Sequence, residues 1–324
     1  MSLIKELITW IFEINTILKL FFCSLFVLSC AWAHDNTTPV KLVILGIAQD
    51  AGYPQINCYK PHCMPAWKDS SLKRMATSLA IIDEQNKQKI LFEATPDMPQ
   101  QLYQLQTLAA DNDYPLAGIF LTHAHMGHYT GLMHLGREAA GSNGVNVYAM
   151  PRMHQFLSTN APWSQLINLN NIKLNKLQSQ QSLKLNSNIS ITPILVPHRD
   201  EFSETVGYKI KGPNKTVLFI PDIDKWQKWD HDIVEEIKKV DYALLDATFY
   251  QNGEIPNRDM SEIPHPFVTE SMRLFSQLSQ NDKAKIIFIH FNHTNPLLQD
   301  GSEAQKEVLN KGFGIAFEGL QLVL

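Results

Sequence analysis

Apolar positions along the chain fall in short dense runs set between polar stretches. Residues 41–47 (KLVILGI) are apolar and largely branched, and predict a strand. Residues 78–82 and 89–93 flank a polar DEQNKQ segment and predict a hairpin. The runs at 117–122 (AGIFLT), 145–149, 190–196, 205–210, 216–220, 242–246 and 285–290 (KIIFIH) each predict a further strand. Helices are predicted at 100–109, 131–140, from Pro151 onward, at 229–240 and at 266–278; a proline suits the first turn of a helix. Residues 170–190 are Asn/Gln-rich with alternating apolar positions, which fits exposed strands and turns better than disorder. No repeat or low-complexity linker interrupts the pattern, so one domain is the simplest reading. Strands outnumbering helices, with polar loops at strand ends, is compatible with an α/β fold of two sheets covered by helices on the outside.

The N-terminus reads differently. An apolar run at 20–28 follows Lys19 and precedes Ala31-Trp32-Ala33. A basic residue, a short apolar stretch and an A-x-A site are the parts of a secretory signal peptide. The expectation is therefore a signal peptide over 1–33 and a mature domain over 34–324, periplasmic or secreted. The run is shorter than the ~20 residues a membrane-spanning helix needs. A membrane anchor, or lipidation of Cys30 in Val27-Leu28-Ser29-Cys30, are the alternatives. Cleavage after Ala33 leaves Cys58 and Cys63 in an oxidising compartment. A disulfide between them is one reading; a zinc site with His62, one donor short of closure, is another, and free thiols are the third.

Composition narrows the function. With 28 Lys+Arg against 32 Asp+Glu, the formal charge is −4. That argues against a nucleic-acid partner, which would call for a basic face. Four cysteines are too few for a disulfide scaffold.

The histidines carry the chemistry. His123, His125 and His128 fall within six residues, just after the strand IFL. In an extended segment His123 and His125 share a face, and His128 follows Gly127, which lets the chain turn back. Neutral imidazole is a good zinc ligand, and a tetrahedral site needs donors converging from several segments. His198, Asp222 and His290 each end a downstream apolar run. Pro264 and Pro266 pin His265, which suits substrate contact or proton transfer. Asp50, Asp97 and Asp246 follow strands; each is either an acceptor that fixes an imidazole or a turn and cap residue. His34, His134, His154 and His231 show no such context.

His-x-His-x-x-His after an apolar strand, then a His, an Asp and a late His, resembles the metallo-β-lactamase superfamily. The segments GIAQDAGYPQINC, FEATPDMPQQL, LLDATFY and FIHFNHTNP resemble its pyrroloquinoline quinone biosynthesis protein B branch. The resemblance implies an αβ/βα four-layer sandwich with a metal site along one edge of two facing sheets. It implies one metal on His123, His125 and His198, and a second on His128 and His290, with Asp222 bridging. Where that superfamily usually has a metal-ligating Asp, this chain has Gly127. The expectation is one tightly bound zinc and a weakened second site, with His265 and His293 the nearest residues in type to complete it. Replacing Gly127 by Asp is then expected to raise occupancy. The functional expectation is an exported hydrolase using water activated on the metal against a small ester, lactone or phosphodiester. Asp222 would hold the metal and orient the nucleophile, and His265 or His293 would protonate the leaving group. The alternative is a non-hydrolytic accessory or oxygenase-like factor related to quinone-cofactor formation.

Overall fold

The apolar runs form strands buried on both faces. In β1 (Val40–Gly46), Leu42 and Ile44 join one apolar cluster while Val43 and Leu45 join another, as the two-residue period of a strand requires. β2 (Ser78–Asp83) and β3 (Gln88–Phe92) divide the same way. The computed structural model describes residues 40–111 and 113–324. The segment 1–33 expected to be a signal peptide, with Cys30 in it, lies outside the described residues. Among the described residues no helix is long and apolar enough to cross a membrane.

With β4 (Leu116–Phe120), β5 (Val145–Ala149), β6 (Ile172–Lys176) and β14 (Gln321–Val323), the first three strands make a seven-stranded sheet ordered β14-β1-β2-β3-β4-β5-β6. β7 (Leu183–Lys184), β8 (Ser190–Leu195), β9 (Val206–Lys211), β10 (Thr216–Ile220), β11 (Tyr242–Asp246), β12 (Ile286–Ile289) and β13 (Gly314–Ile315) make the other, ordered β13-β12-β11-β10-β9-β8-β7. Phe92 and Phe120 from the first sheet meet Tyr208 and Phe219 from the second; Phe92 lies 5.3, 5.5 and 6.4 Å from the other three ring centroids. Each such pair contributes about 0.5–1.5 kcal/mol beyond its buried area. Helices Met98–Leu108, Pro151–Thr159 and Trp163–Asn168 cover the outside of the first sheet through Met98, Leu105, Met153, Leu157 and Leu166. Helices Ile233–Lys238, Val268–Leu274 and Glu303–Asn310 add Ile237, Met272 and Val308 to the apolar cluster of the second. The result is the four-layer αβ/βα sandwich.

Several expected helices are shorter than their apolar pattern. The 131–140 helix is a 3-10 turn, Thr130–Leu135, that ends at Gly136. The 229–240 helix is confined to Ile233–Lys238, because Asp232 caps it by accepting from the Val234 amide at 2.8 Å. Trp229 lies outside it, and its indole N–H donates to the Leu195 carbonyl. The 266–278 helix runs only over Val268–Leu274, followed by the 3-10 turn Phe275–Gln277. Residues 170–190 carry the chain from β6 in one sheet to β7 in the other.

Strand direction fixes where function can sit. β3, β4, β5 and β6 run parallel, as do β10, β11, β12 and β13. Parallel strands deliver their C-terminal ends to a common edge, where ligands bind in open α/β sheets. The sheets are joined at that edge: the Val206 amide donates to the Thr122 carbonyl at 3.2 Å, and the Tyr208 hydroxyl donates to the Leu121 carbonyl. Ala48, just past β1, forms isolated bridges with both Ala76 and Phe291.

Candidate metal centre

Past β4 the chain stays extended through His125 (φ −93°, ψ 148°) before the short helix Met126–Tyr129 begins. This brings His123 Nε2 to 2.8 Å from His125 Nδ1. From the second sheet, His198 follows β8 and Asp222 follows β10. Asp222 Oδ2 lies 3.3 Å from His123 Nε2, and its Oδ1 lies 3.2 Å from His198 Nε2. Donor atoms of these four residues all lie within 4.8 Å of one another. Zinc bonds of 2.0–2.1 Å in a tetrahedron place neighbouring ligand atoms ~3.3 Å apart. The separations found fit that spacing.

His128 enters from the short helix and His290 from the end of β12. His123, His125 and His290 are each held from behind by a hydrogen-bond partner, whereas His198 Nδ1 and His128 Nδ1 have none. His123 Nδ1 meets Thr122 Oγ1 at 2.9 Å, His125 Nε2 meets Glu201 at 3.3 Å, and His290 Nδ1 meets Thr248 Oγ1 at 3.0 Å. His128 Nδ1 lies 3.2 Å from the buried Glu93. Such partners fix ring orientation around a metal. On the near side, His198 Nε2, His128 Nε2, His290 Nε2, Asp222 Oδ1 and Asp50 Oδ1 are buried with no hydrogen-bond partner. An unpaired buried polar group costs ~1–3 kcal/mol. Orphans gathered at one edge fit a cation, the group that would satisfy them together.

The electrostatics agree. Burial, with help from neighbouring imidazoles, holds His123 and His290 well below the ordinary histidine pKa, and drives His198 down to about 2. All three are neutral, as ligands must be. His128 departs from them. Burial opposes its charge, but Glu93, Asp222 and Asp50 outweigh burial and lift it to about 9. Burial raises Asp222 to about 7 against the pull of His265. The surplus of carboxylate that holds a proton on His128 also favours a divalent cation.

His265 lies between β11 and the helix Val268–Leu274. It is buried, with Nδ1 2.8 Å from Asp246 Oδ2 and 3.2 Å from Asp222 Oδ1. Thr248 Oγ1 donates to Asp246 Oδ1 at 2.7 Å and braces this pair. His293 is not brought into any of the converging donor groups; its ring lies 5.9 Å from His62. Nearby, Cys58 and Cys63 form a disulfide, which takes both sulfurs out of metal binding. The sequence reading missed Glu93, Thr248 and Glu201. Glu93 left a signal: a charged residue stands directly after the apolar strand it follows, and it is fully buried.

The Gly127 expectation changes. A Cβ on Gly127 would lie 2.4 Å from Asp50 Cα and 2.8 Å from Asp50 Oδ1. No side chain fits there, so Asp at 127 would collide with the backbone of Asp50 rather than complete a site.

Residues 88–291 match the family model for the beta-lactamase superfamily domain. Coenzyme PQQ synthesis protein B of Acinetobacter baumannii (strain ACICU) is 26% identical over 310 residues, covering 88% of this chain and 100% of that protein. The protein of the same name from Methylobacterium sp. (strain 4-46) is 26% identical over 307 residues, again covering 88% and 100%. Among solved structures, Zn(2+)-bound PqqB from Methylobacterium extorquens superposes with a TM-score of 0.75 at 23% identity, over 88% of this chain and 100% of that one. A diphosphatase from the PhnP family gives a TM-score of 0.61 at 20% identity, over 88% and 97%. Fold, donor geometry and family match agree: the chain belongs to the metallo-β-lactamase superfamily and is a PqqB-like member of it.

Proposed function

We propose that the protein is an exported, zinc-dependent hydrolase of a small ester, lactone or phosphodiester. One observation carries the reading: His123 Nε2, His125 Nδ1, His198 Nε2 and Asp222 converge with the spacing of a zinc ligand set. A zinc ion held there supplies a water of lowered pKa and polarises the oxygen under attack. The chain's own groups do the rest. Asp222 reaches toward His123 and His128 with one oxygen and toward His198 and His265 with the other, so it orients whatever is bound between them. His265 Nδ1 is tied to Asp246, which leaves Nε2 to hand its proton to the departing oxygen. Its pKa is raised: burial opposes the charge, and Asp246 and Asp222 overcome it, which favours the protonated donor form. Arg199, exposed beside His198, is a cation suited to an anionic substrate. The Cys58–Cys63 disulfide and the signal-like N-terminus support export.

A second reading is a non-hydrolytic role in quinone-cofactor formation. It is favoured by the full-length match to relatives named for PQQ synthesis. The two separate in one assay. Zinc-reconstituted protein is offered a nitrophenyl phosphodiester, a nitrophenyl ester and a lactone. Turnover of at least one class is expected, with loss of ~10³-fold or more in His123→Ala at unchanged fold. Zinc-loaded protein inert toward all three would overturn the hydrolase reading in favour of the second.

A further inference from the structure

The space a side chain at Gly127 would need is filled by another residue. Asp50 lies on the loop after β1, and its Oδ1 occupies the region a Cβ at 127 would enter. The placement is built rather than incidental. The Gln49 amide donates to the Phe291 carbonyl, and the Phe291 amide donates to Ile47, both at 2.8 Å. The Asn292 side chain bonds the Gln49 side chain. The loop carrying Asp50 is thus zipped to the residues that directly follow His290. Asp50 and His290 themselves sit at φ +39° and +72°. Side chains other than Gly, Asn and Asp seldom adopt this region, and non-glycine residues held there gather at functional sites.

The donors around this loop match. Asp50 Oδ1 is 3.7 Å from His128 Nε2, and Asp222 Oδ2 is 3.7 Å from the same nitrogen. Asp50, His128 and His290 have donor atoms all within 4.8 Å of one another. Asp50 Oδ1, His128 Nε2 and His290 Nε2 are each buried without a hydrogen-bond partner, and the two histidines are 1% and 0% exposed. We propose that Asp50 supplies the carboxylate that Gly127 lacks, so that Asp50, His128, His290 and the shared Asp222 form a second divalent-metal site. Two imidazoles and two carboxylates suit Zn²⁺, Mn²⁺ or Fe²⁺. This rests on the reading of His123, His125, His198 and Asp222 as the first site.

The test is metal content by elemental analysis after Zn²⁺ reconstitution and dialysis, run on the unmodified protein, Asp50→Asn and His198→Ala. Asparagine keeps the size and tolerates the positive φ of Asp50 while removing the charge. The expected result is two equivalents in the unmodified protein and one in Asp50→Asn, with a midpoint for the second equivalent raised by roughly 10–100-fold or more. A second readout uses Co²⁺: spin coupling between two ions through Asp222 is expected in the unmodified protein and absent in Asp50→Asn. One equivalent in both proteins, or two in both, would overturn the assignment of Asp50 while leaving the first site standing. No retained metal in the unmodified protein would overturn the first site too. His198→Ala separates these cases, because it should lose the first equivalent without touching Asp50, His128 or His290.

Discussion

Three aspartates that look alike in sequence have three different partners. Asp50, Asp97 and Asp246 all follow apolar strands. Asp97 Oδ2 accepts the Ala76 amide at 2.7 Å and clamps backbone, with no imidazole involved. Asp246 holds His265, and Asp50 faces His128. Which role each takes depends on the loop packed against it, and a linear pattern does not contain that. His123, His198 and His290 were legible because each follows an apolar run, and a strand end is a fixed place; His125 and His128 were legible from their spacing after His123. The pairing of His265 with Asp246 gives a prediction at this scale. A proton donor matters most when the leaving group is a poor one. His265→Ala should lower kcat by ~10²–10⁴-fold on a substrate with an alkoxide leaving group. It should change turnover of a nitrophenyl substrate far less, with zinc content unchanged. Equal losses on both substrates would mean that His265 only positions Asp222.

At the scale of elements, strands were legible and helix ends were not. A short apolar run rich in branched side chains and bounded by polar turn residues reads as a strand, but helix limits depend on caps. Capped by Asp232, the helix starts at Ile233, four residues later than the apolar pattern began, so Trp229 is free to pack elsewhere. The C-terminal elements passed unread because β13 and β14 are only 2 and 3 residues long. Yet the turn between them anchors the site's sheet. Gly46 lets β1 approach residue 76 so closely that a Cβ would lie 1.9 Å from the Ala76 carbonyl oxygen. There the Met75 amide is taken by Glu318 and the Ala76 amide by Asp97. Burial lifts Glu318 from its ordinary 4.5 to about 7. Folded protein therefore keeps a proton that unfolded protein has released above pH 4.5. This contribution to stability is largest in acid and is lost as pH rises through about 7. Glu318→Gln keeps the acceptor oxygen without the charge. It should be more stable than the unmodified protein at pH 8, by roughly 1–2 kcal/mol once partial exposure is discounted, and equal to it near pH 4. Denaturation midpoints at the two pH values check this; a difference that does not change with pH would contradict it.

At the scale of the molecule, the two sheets share one edge, and every proposed ligand reaches it from a strand end, the loop after one or, for His128, the short helix that follows β4. His123, His125 and His128 come from the first sheet, and His198, Asp222 and His290 from the second. The order of these residues was readable in sequence, as was the layered fold their resemblance implied. The contribution of the loop after β1 was not, because Asp50 is 240 residues from His290 and only sheet closure joins them. The central claim is that this edge is a metal centre. Anomalous diffraction at the zinc absorption edge, from crystals of the zinc-loaded protein, tests it most directly. The account predicts a strong peak within ~2.0–2.2 Å of His123 Nε2, His125 Nδ1, His198 Nε2 and an Asp222 oxygen. An edge without a peak at those four residues, in crystals whose fluorescence shows zinc bound elsewhere, would contradict it.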